Sequence, residues 1–228
     1  MSTDTLLVIA ALIPAMVLHE LAHGVAAFWL GDDTAKKAGR LTLNPLKHID
    51  RVGSVLLPLG LALVQIVTFG GVRFLYGWAK PVPVGTGKLR LGTYANPRRL
   101  MAIVALAGPV SNFLQAIFGG LALHGGQWID FWLFYIDINL VIGLFNLMPL
   151  LPLDGGRVLL GALPLPLARV YAKSEKFGFL LLFVVLVGFP ALFSAFSVDF
   201  NPVNLALNKI LPLAETIVLT VTGNGNGS

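Results

Sequence analysis

The chain has 228 residues, 56% of them hydrophobic and only 12% charged, with a mean hydropathy of +0.82. That balance excludes an ordinary water-soluble domain and points to an all-α polytopic membrane protein. There is no cysteine, so disulfides, thiolate ligands and cysteine nucleophiles are ruled out, and any metal must be held by His, Asp or Glu. The net charge of +5 is read as Lys and Arg in loops facing the cytoplasm, so no nucleic-acid partner is expected.

The first apolar stretch, Thr5–Leu30, exceeds the roughly 20 residues that cross a bilayer core. It lacks the basic start and small-residue cleavage site of a signal peptide and is expected to be retained. Inside it lies Leu18-His19-Glu20-Leu21-Ala22-His23, an H-E-x-x-H motif at lipid depth. Ionisable groups there are costly, and their default reading is functional. On a helix, His19 and His23 share one face and can present both imidazoles to one ion. Glu20 lies about a quarter turn away, near enough to reach a water activated by that ion. The competing reading is a histidine pair hydrogen-bonded between helices beside a protonated Glu. Because each buried polar group needs a partner, the apolar setting favours the metal.

Two basic loops follow. Residues 31–52 carry Lys36, Lys37, Arg40, Lys47 and Arg51, and residues 76–99 carry Lys80, Lys88, Arg90, Arg98 and Arg99. Positive charge places both on one side of the membrane. The apolar segment between them, Gly53–Leu75, is therefore expected to form a re-entrant or hairpin segment, with a true sixth span as the alternative. His48, in the first loop, is a candidate gate or support for the metal ligands, set against the commoner solvated loop histidine. Gly39–Leu43 and Pro81–Val84 read as short extended loop strands that could offer backbone groups to an unwound substrate.

Further spans are read at Leu100–Leu123, Phe131–Leu151 and Phe177–Ser197, with a weaker one at Leu205–Val221 that Lys209 and Glu215 interrupt. Five or six transmembrane helices result, with the N-terminus outside and the C-terminus inside. Trp29, Trp78, Trp128 and Trp132 fit interfacial anchors. Gly108 and Pro109 suit close helix approach or a kink. A catalytic zinc site typically takes three protein ligands and leaves one position open. Asp154 supplies the third: it follows a span that runs in the same direction as the first, so it reaches similar depth. Its plainer reading is a helix cap or an Asp-Gly turn. Residues 1–222 are read as a single domain and 223–228 as a flexible tail.

His19-Glu20-Leu21-Ala22-His23, then Ala107-Gly108-Pro109, then Phe145-Asn146-Leu147-Met148-Pro149 followed by Asp154-Gly155, resemble the site-2 protease family of intramembrane zinc metalloproteases. Gly39-Arg40-Leu41-Thr42-Leu43-Asn44-Pro45 and Gly77-Trp78-Ala79-Lys80-Pro81-Val82-Pro83 are similar to segments of its compact prokaryotic members, which carry no PDZ or CBS domain. The resemblance covers about residues 10–160. It implies that His19, His23 and Asp154 ligate Zn2+ and that Glu20 is the general base. It further implies an intramembrane endopeptidase in a prokaryotic cell membrane, acting toward the cytoplasmic side on transmembrane protein or peptide substrates within the lipid bilayer. Asn146 and Asn112 are candidate contacts to substrate or to the developing oxyanion, as neutral amides able to donate. The alternative is a non-catalytic transporter or scaffold with a buried metal or proton site. No second copy of the histidine motif supports paired repeats, and a purely structural metal site has no need of Glu20. Oligomeric state is not specified by the sequence.

Overall fold

The computed structural model describes residues 3–71, 77–90, 96–188 and 202–225, and these are helical with no β-strand among them. In chain order the α-helices are α1 (Thr3–Trp29), the single turn α2 (Thr34–Lys37), α3 (Leu57–Phe69), α4 (Pro97–Ala122), α5 (Ile129–Asn146), α6 (Asp154–Ala162), α7 (Leu165–Ala172), α8 (Gly178–Phe183) and α9 (Pro202–Val221). The apolar sequence sets the lengths, and local chemistry sets the ends. α4 starts where the Asn96 side chain accepts from the Arg98 N–H and Pro97 occupies the first turn, where a missing N–H costs nothing. α3 stops at Gly70, whose φ of 72° closes the helix with an N–H bond to the Ile66 carbonyl.

α4 is the central element, packed against α1, α5 and α6, while α9 lies against α5 and α4. α1 and α4 are antiparallel: Asn112 reaches the Ala15 carbonyl at one level, and His23 reaches the Val104 carbonyl further along. α4 and α5 are antiparallel too, with Gly119 beside Ile136 and Gly143 beside Phe113. α1 and α5 therefore run in the same direction, which delivers the segment after α5 to the level of the histidines.

The distribution of polarity is inverted relative to a soluble protein. His19, Asp32, Arg40, His48, Asn112, Gln115, Asn139 and Thr222 are buried, while Leu59, Leu63, Val67, Leu114, Phe118 and Leu213 are exposed. Lipid reverses the usual cost of apolar exposure and makes every unpaired polar group expensive. Among the described residues, three helices, α1, α4 with its terminal turn, and α5, are long and apolar enough to cross a membrane. Trp29 and Trp128 sit at helix ends, 79% and 74% exposed.

Several expectations are adjusted. α5 ends at Asn146 and not at Leu151, because a compact turn replaces its last residues. Gly39–Leu43 lies in turns and bends and Pro81–Val84 in irregular loop, so the expected loop strands are absent among the described residues. The proline-flanked segment has only one N–H between Lys80 and Val84, too few for a ladder. The part of the expected Phe177–Ser197 span beyond Gly188 lies outside the described residues. Leu205–Val221 falls within the unbroken helix α9 despite Lys209 and Glu215.

The two basic loops meet. The Lys80 N–H bonds to the His48 carbonyl, Trp78 N–H to Gly53, and Arg90 N–H to Leu30. After Gly223, the Asn224 amide donates to the Gly120 carbonyl at 2.7 Å, anchoring the start of the C-terminal segment to α4.

A Cβ on Gly120 would overlap Thr222 at the contact between α4 and the end of α9. Gly120→Val is therefore expected to destabilise the protein by about 1–3 kcal/mol. Gly125→Ala, where nothing lies within 4 Å, should leave the melting temperature in detergent unchanged.

Candidate metal centre

His19 and His23 lie one turn apart on α1, with ring centroids 4.7 Å apart and ring planes at 87°. Their Nε2 atoms are 3.1 Å apart, and Asp154 Oδ2 lies 3.2 Å from the first and 3.3 Å from the second. These three are the one group of at least three potential metal ligands among the described residues.

The outer ring nitrogens determine what the inner ones are. Asn112 donates through Nδ2 to the Ala15 carbonyl (3.3 Å) and to Asn139 Oδ1 (2.8 Å), so its Oδ1 faces His19 Nδ1 as an acceptor at 2.5 Å. His23 Nδ1 faces the Val104 carbonyl at 2.8 Å, also an acceptor. Both Nδ1 atoms therefore carry the proton. In neutral rings both Nε2 atoms present bare lone pairs to each other and to a carboxylate oxygen. Such a convergence is repulsive unless a positive charge lies among the three. A tetrahedral zinc ion about 2.0–2.1 Å from each ligand would set them about 3.3–3.4 Å apart, close to the triangle observed. The donor set fits such an ion, with three corners supplied and the fourth open.

Two glycine contacts make the triangle possible. A Cβ at Gly108 on α4 would overlap both imidazole rings, so only glycine lets α4 approach α1 here. Asp154 opens α6 directly after a tight turn in which Leu150 N–H bonds to Met148 and Leu153 N–H bonds to Leu150. A Cβ on Gly155 would overlap the Leu147 carbonyl, and one on Gly156 would meet the backbone at Leu150 and Leu151. The Asp-Gly-Gly sequence thus folds the start of α6 back onto its own approach.

Glu20 is partly exposed, and its Oε2 accepts the Val82 N–H at 2.9 Å. Asn146 is also partly exposed and donates to the Ile142 carbonyl of its own helix at 3.0 Å. Asn112 is fully buried behind His19 with its amide directed into the bundle. Both ends of that amide are engaged within the bundle, the oxygen by His19 and the nitrogen by Ala15 and Asn139. His48 is 4% exposed, so the solvated-loop reading does not hold; its Nε2 bonds to the Thr42 carbonyl at 2.9 Å. Asn139, whose Nδ2 donates to the Tyr135 carbonyl, extends the support for His19 to α5. An isolated Asn in an apolar run gives no sequence signal of which helix it faces.

A family model described as "Peptidase family M50" matches residues 116–189. Among curated proteins, the chain is 36% identical over 192 residues to "Putative zinc metalloprotease YwhC" of Bacillus subtilis (strain 168), covering 78% of this chain and 79% of that protein. It is 32% identical over 191 residues to "Putative zinc metalloprotease Rip2" of Mycolicibacterium smegmatis, covering 80% and 67%. A shorter stretch of 70 residues is 37% identical to "Zinc metalloprotease Rip1" of the same organism, covering 27% and 17%. No solved structure matches the chain.

Removing the acceptor behind His19 should loosen the triangle. Asn112→Leu is expected to weaken zinc binding by about 10–100-fold in a chelator competition. Gly108→Ala should weaken it as well, by pushing the rings apart, whereas Gly60→Ala, with nothing within 4 Å of the added carbon, should not.

Proposed function

Because the chain belongs to peptidase family M50, the site-2 protease family, we propose that it is a zinc-dependent intramembrane endopeptidase, cutting within or next to transmembrane segments of other membrane proteins in regulated intramembrane proteolysis. The observation that carries this reading is the convergence of His19 Nε2, His23 Nε2 and Asp154 Oδ2, with both Nδ1 hydrogens already committed. His19, His23 and Asp154 hold the ion. When bound, zinc supplies Lewis-acid chemistry, acidifying water and offsetting the charge that develops on an attacked carbonyl oxygen.

Glu20 follows His19 on α1 and is the base. It takes the proton from the attacking water and returns it to the leaving amine nitrogen. Its carboxylate is steadied on one oxygen by Val82, which leaves the other for the water. Asn146 keeps one amide hydrogen for a substrate carbonyl beyond the one given to Ile142. Asn112, through His19, fixes the ring that faces the ion.

A cytoplasmic placement of the centre is supported by the loops: the basic segments at residues 31–52 and 77–90 are joined by backbone hydrogen bonds, so the positive-inside rule applies to them as one unit and favours the cytoplasmic face. The Trp78 N–H bonds to the Gly53 carbonyl, so the two ends of the intervening segment lie together, which supports a re-entrant path. His19 and His23 lie in the half of α1 nearer these loops, so the active centre sits toward the cytoplasmic side of a multi-pass prokaryotic protein. A transporter or scaffold reading leaves Glu20, beside the cluster, without a task.

The test compares zinc content and cleavage of a transmembrane model substrate in detergent. Glu20→Gln should retain zinc and lose at least about 100-fold in kcat. Asp154→Ala should lose both zinc and cleavage, and chelation should abolish wild-type activity until zinc is restored. Wild-type rates in Glu20→Gln would remove the assignment of the base.

A further inference from the structure

Two buried charged side chains that the metal centre does not use, Asp32 and Arg40, are bonded to the backbone of residues 80–85. Asp32, just past the end of α1, is completely buried. Its Oδ2 accepts the Gly85 N–H at 2.6 Å, while Oδ1 takes the Thr34 N–H at 3.0 Å and the Thr34 hydroxyl. Arg40 is 5% exposed and donates through Nη2 to the Lys80 carbonyl at 2.6 Å. The Lys80 N–H is tied to the His48 carbonyl at 2.8 Å. Segment 80–85 is thus fastened at both ends, by an anion at Gly85 and a cation at Lys80.

Between these fastenings the sequence is Pro81-Val82-Pro83-Val84. Each proline fixes its own φ and restrains the residue before it to extended conformations, so the segment is stiff without belonging to a sheet. Pro81 and Pro83 lack N–H groups, leaving Val82 as the one donor between the two prolines, and that donor points at Glu20 Oε2 at 2.9 Å. The Val82 side chain lies over α1 one turn beyond Glu20: a Cβ on Gly24 would stand 3.1 Å from Val82 Cγ1. Burial raises the Asp32 carboxyl pKa, but the Thr34 and Gly85 bonds outweigh it, so the group lies below the usual range and stays charged.

We propose that residues 80–85 form a stiff strap whose Val82 N–H orients the Glu20 carboxylate, and that Asp32 and Arg40 are positioning residues acting through it. The strap deepens the reading of Glu20 as the base and rests on it. An anion and a cation at opposite ends resist sliding of the strap in both directions, and the two prolines convert those end fixings into a fixed donor position. One carboxylate oxygen is held by a backbone group that cannot rotate away, so the other keeps a single direction toward the water. A base held in this way gains in the chemical step and not in substrate binding.

The experiment uses the full chain with zinc in detergent micelles and reads kcat, KM and bound zinc on a transmembrane model substrate. Val82→Pro removes the donor without altering a buried charge, and Asp32→Asn releases the strap from its Gly85 end. Both are expected to lower kcat by about 10-fold or more, with KM and zinc content as in wild type. Gly87→Ala, in the same loop with open space around it, is expected to cleave normally. Wild-type kcat in Val82→Pro overturns the proposal, as does a loss expressed only in KM or accompanied by loss of zinc. If Asp32→Asn fails to fold, as judged by its melting curve, Val82→Pro decides alone. Loss of activity in Glu20→Gln together with full activity in Val82→Pro removes the strap and leaves the base, whereas full activity in Glu20→Gln removes the base itself.

Discussion

Two imidazole nitrogens and a carboxylate oxygen are held within 3.3 Å of one another among apolar helices, and their mutual repulsion has to be balanced by positive charge. Much of the architecture exists to impose that crowding. α1 supplies two of the three atoms at helical spacing. α4 approaches closely enough to direct them because residue 108 has no side chain. The turn after α5 folds back on itself at Gly155 and Gly156, and Asp154 at the start of α6 meets both histidines. Bringing the donors together in the absence of an ion is unfavourable, so ion binding and the packing of α1, α4 and α6 are thermodynamically linked.

The polar residues form a connected interior in a molecule whose outer surface is largely apolar. Asn112 links His19 to Asn139, Asn139 bonds to the Tyr135 carbonyl, and the Tyr135 hydroxyl donates to Gln115 at 2.6 Å. Each bond satisfies a group that lipid could not, so the network both fixes the histidine tautomers and ties three helices together. Interhelical bonds of this kind contribute modestly to stability, about 0.6 kcal/mol on average. Their larger effect here is on orientation.

The loop side of the centre is arranged by different means. Asp32 and Arg40 are buried in the loops that follow α1, and both spend their charge on backbone groups of residues 80–85. Backbone partners suit this role because they cannot swing away as a lysine or glutamate side chain would. The result joins segments distant in sequence into one structured face beside Glu20. Local composition reads this face only as two basic loops.

Periodicity and chemistry made part of the protein legible directly. His19 and His23 fall on one helical face because of the 3.6-residue turn, and the apolar lengths of α1, α4 and α5 follow from the thickness of lipid. Asp154 was accessible through topology, since two spans running in the same direction bring their ends to one side. The later motifs added the family resemblance. Contacts between elements were not legible. Asn112 reads as an amide in a span, and only the α1–α4 register turns it toward His19. His48 and Asp32 read as loop residues, yet folding buries both against a segment more than 30 positions away. Pro81–Val84 was read as extended, but its Val82 N–H found a carboxylate and not a neighbouring strand. The sequence by itself determined which residues could bind a metal and that they lie in apolar helices, because helical period and hydrophobicity are local properties. Only the tertiary structure decided which nitrogen of each histidine faces inward and what holds Glu20, because those depend on hydrogen bonds between segments whose register no local pattern encodes.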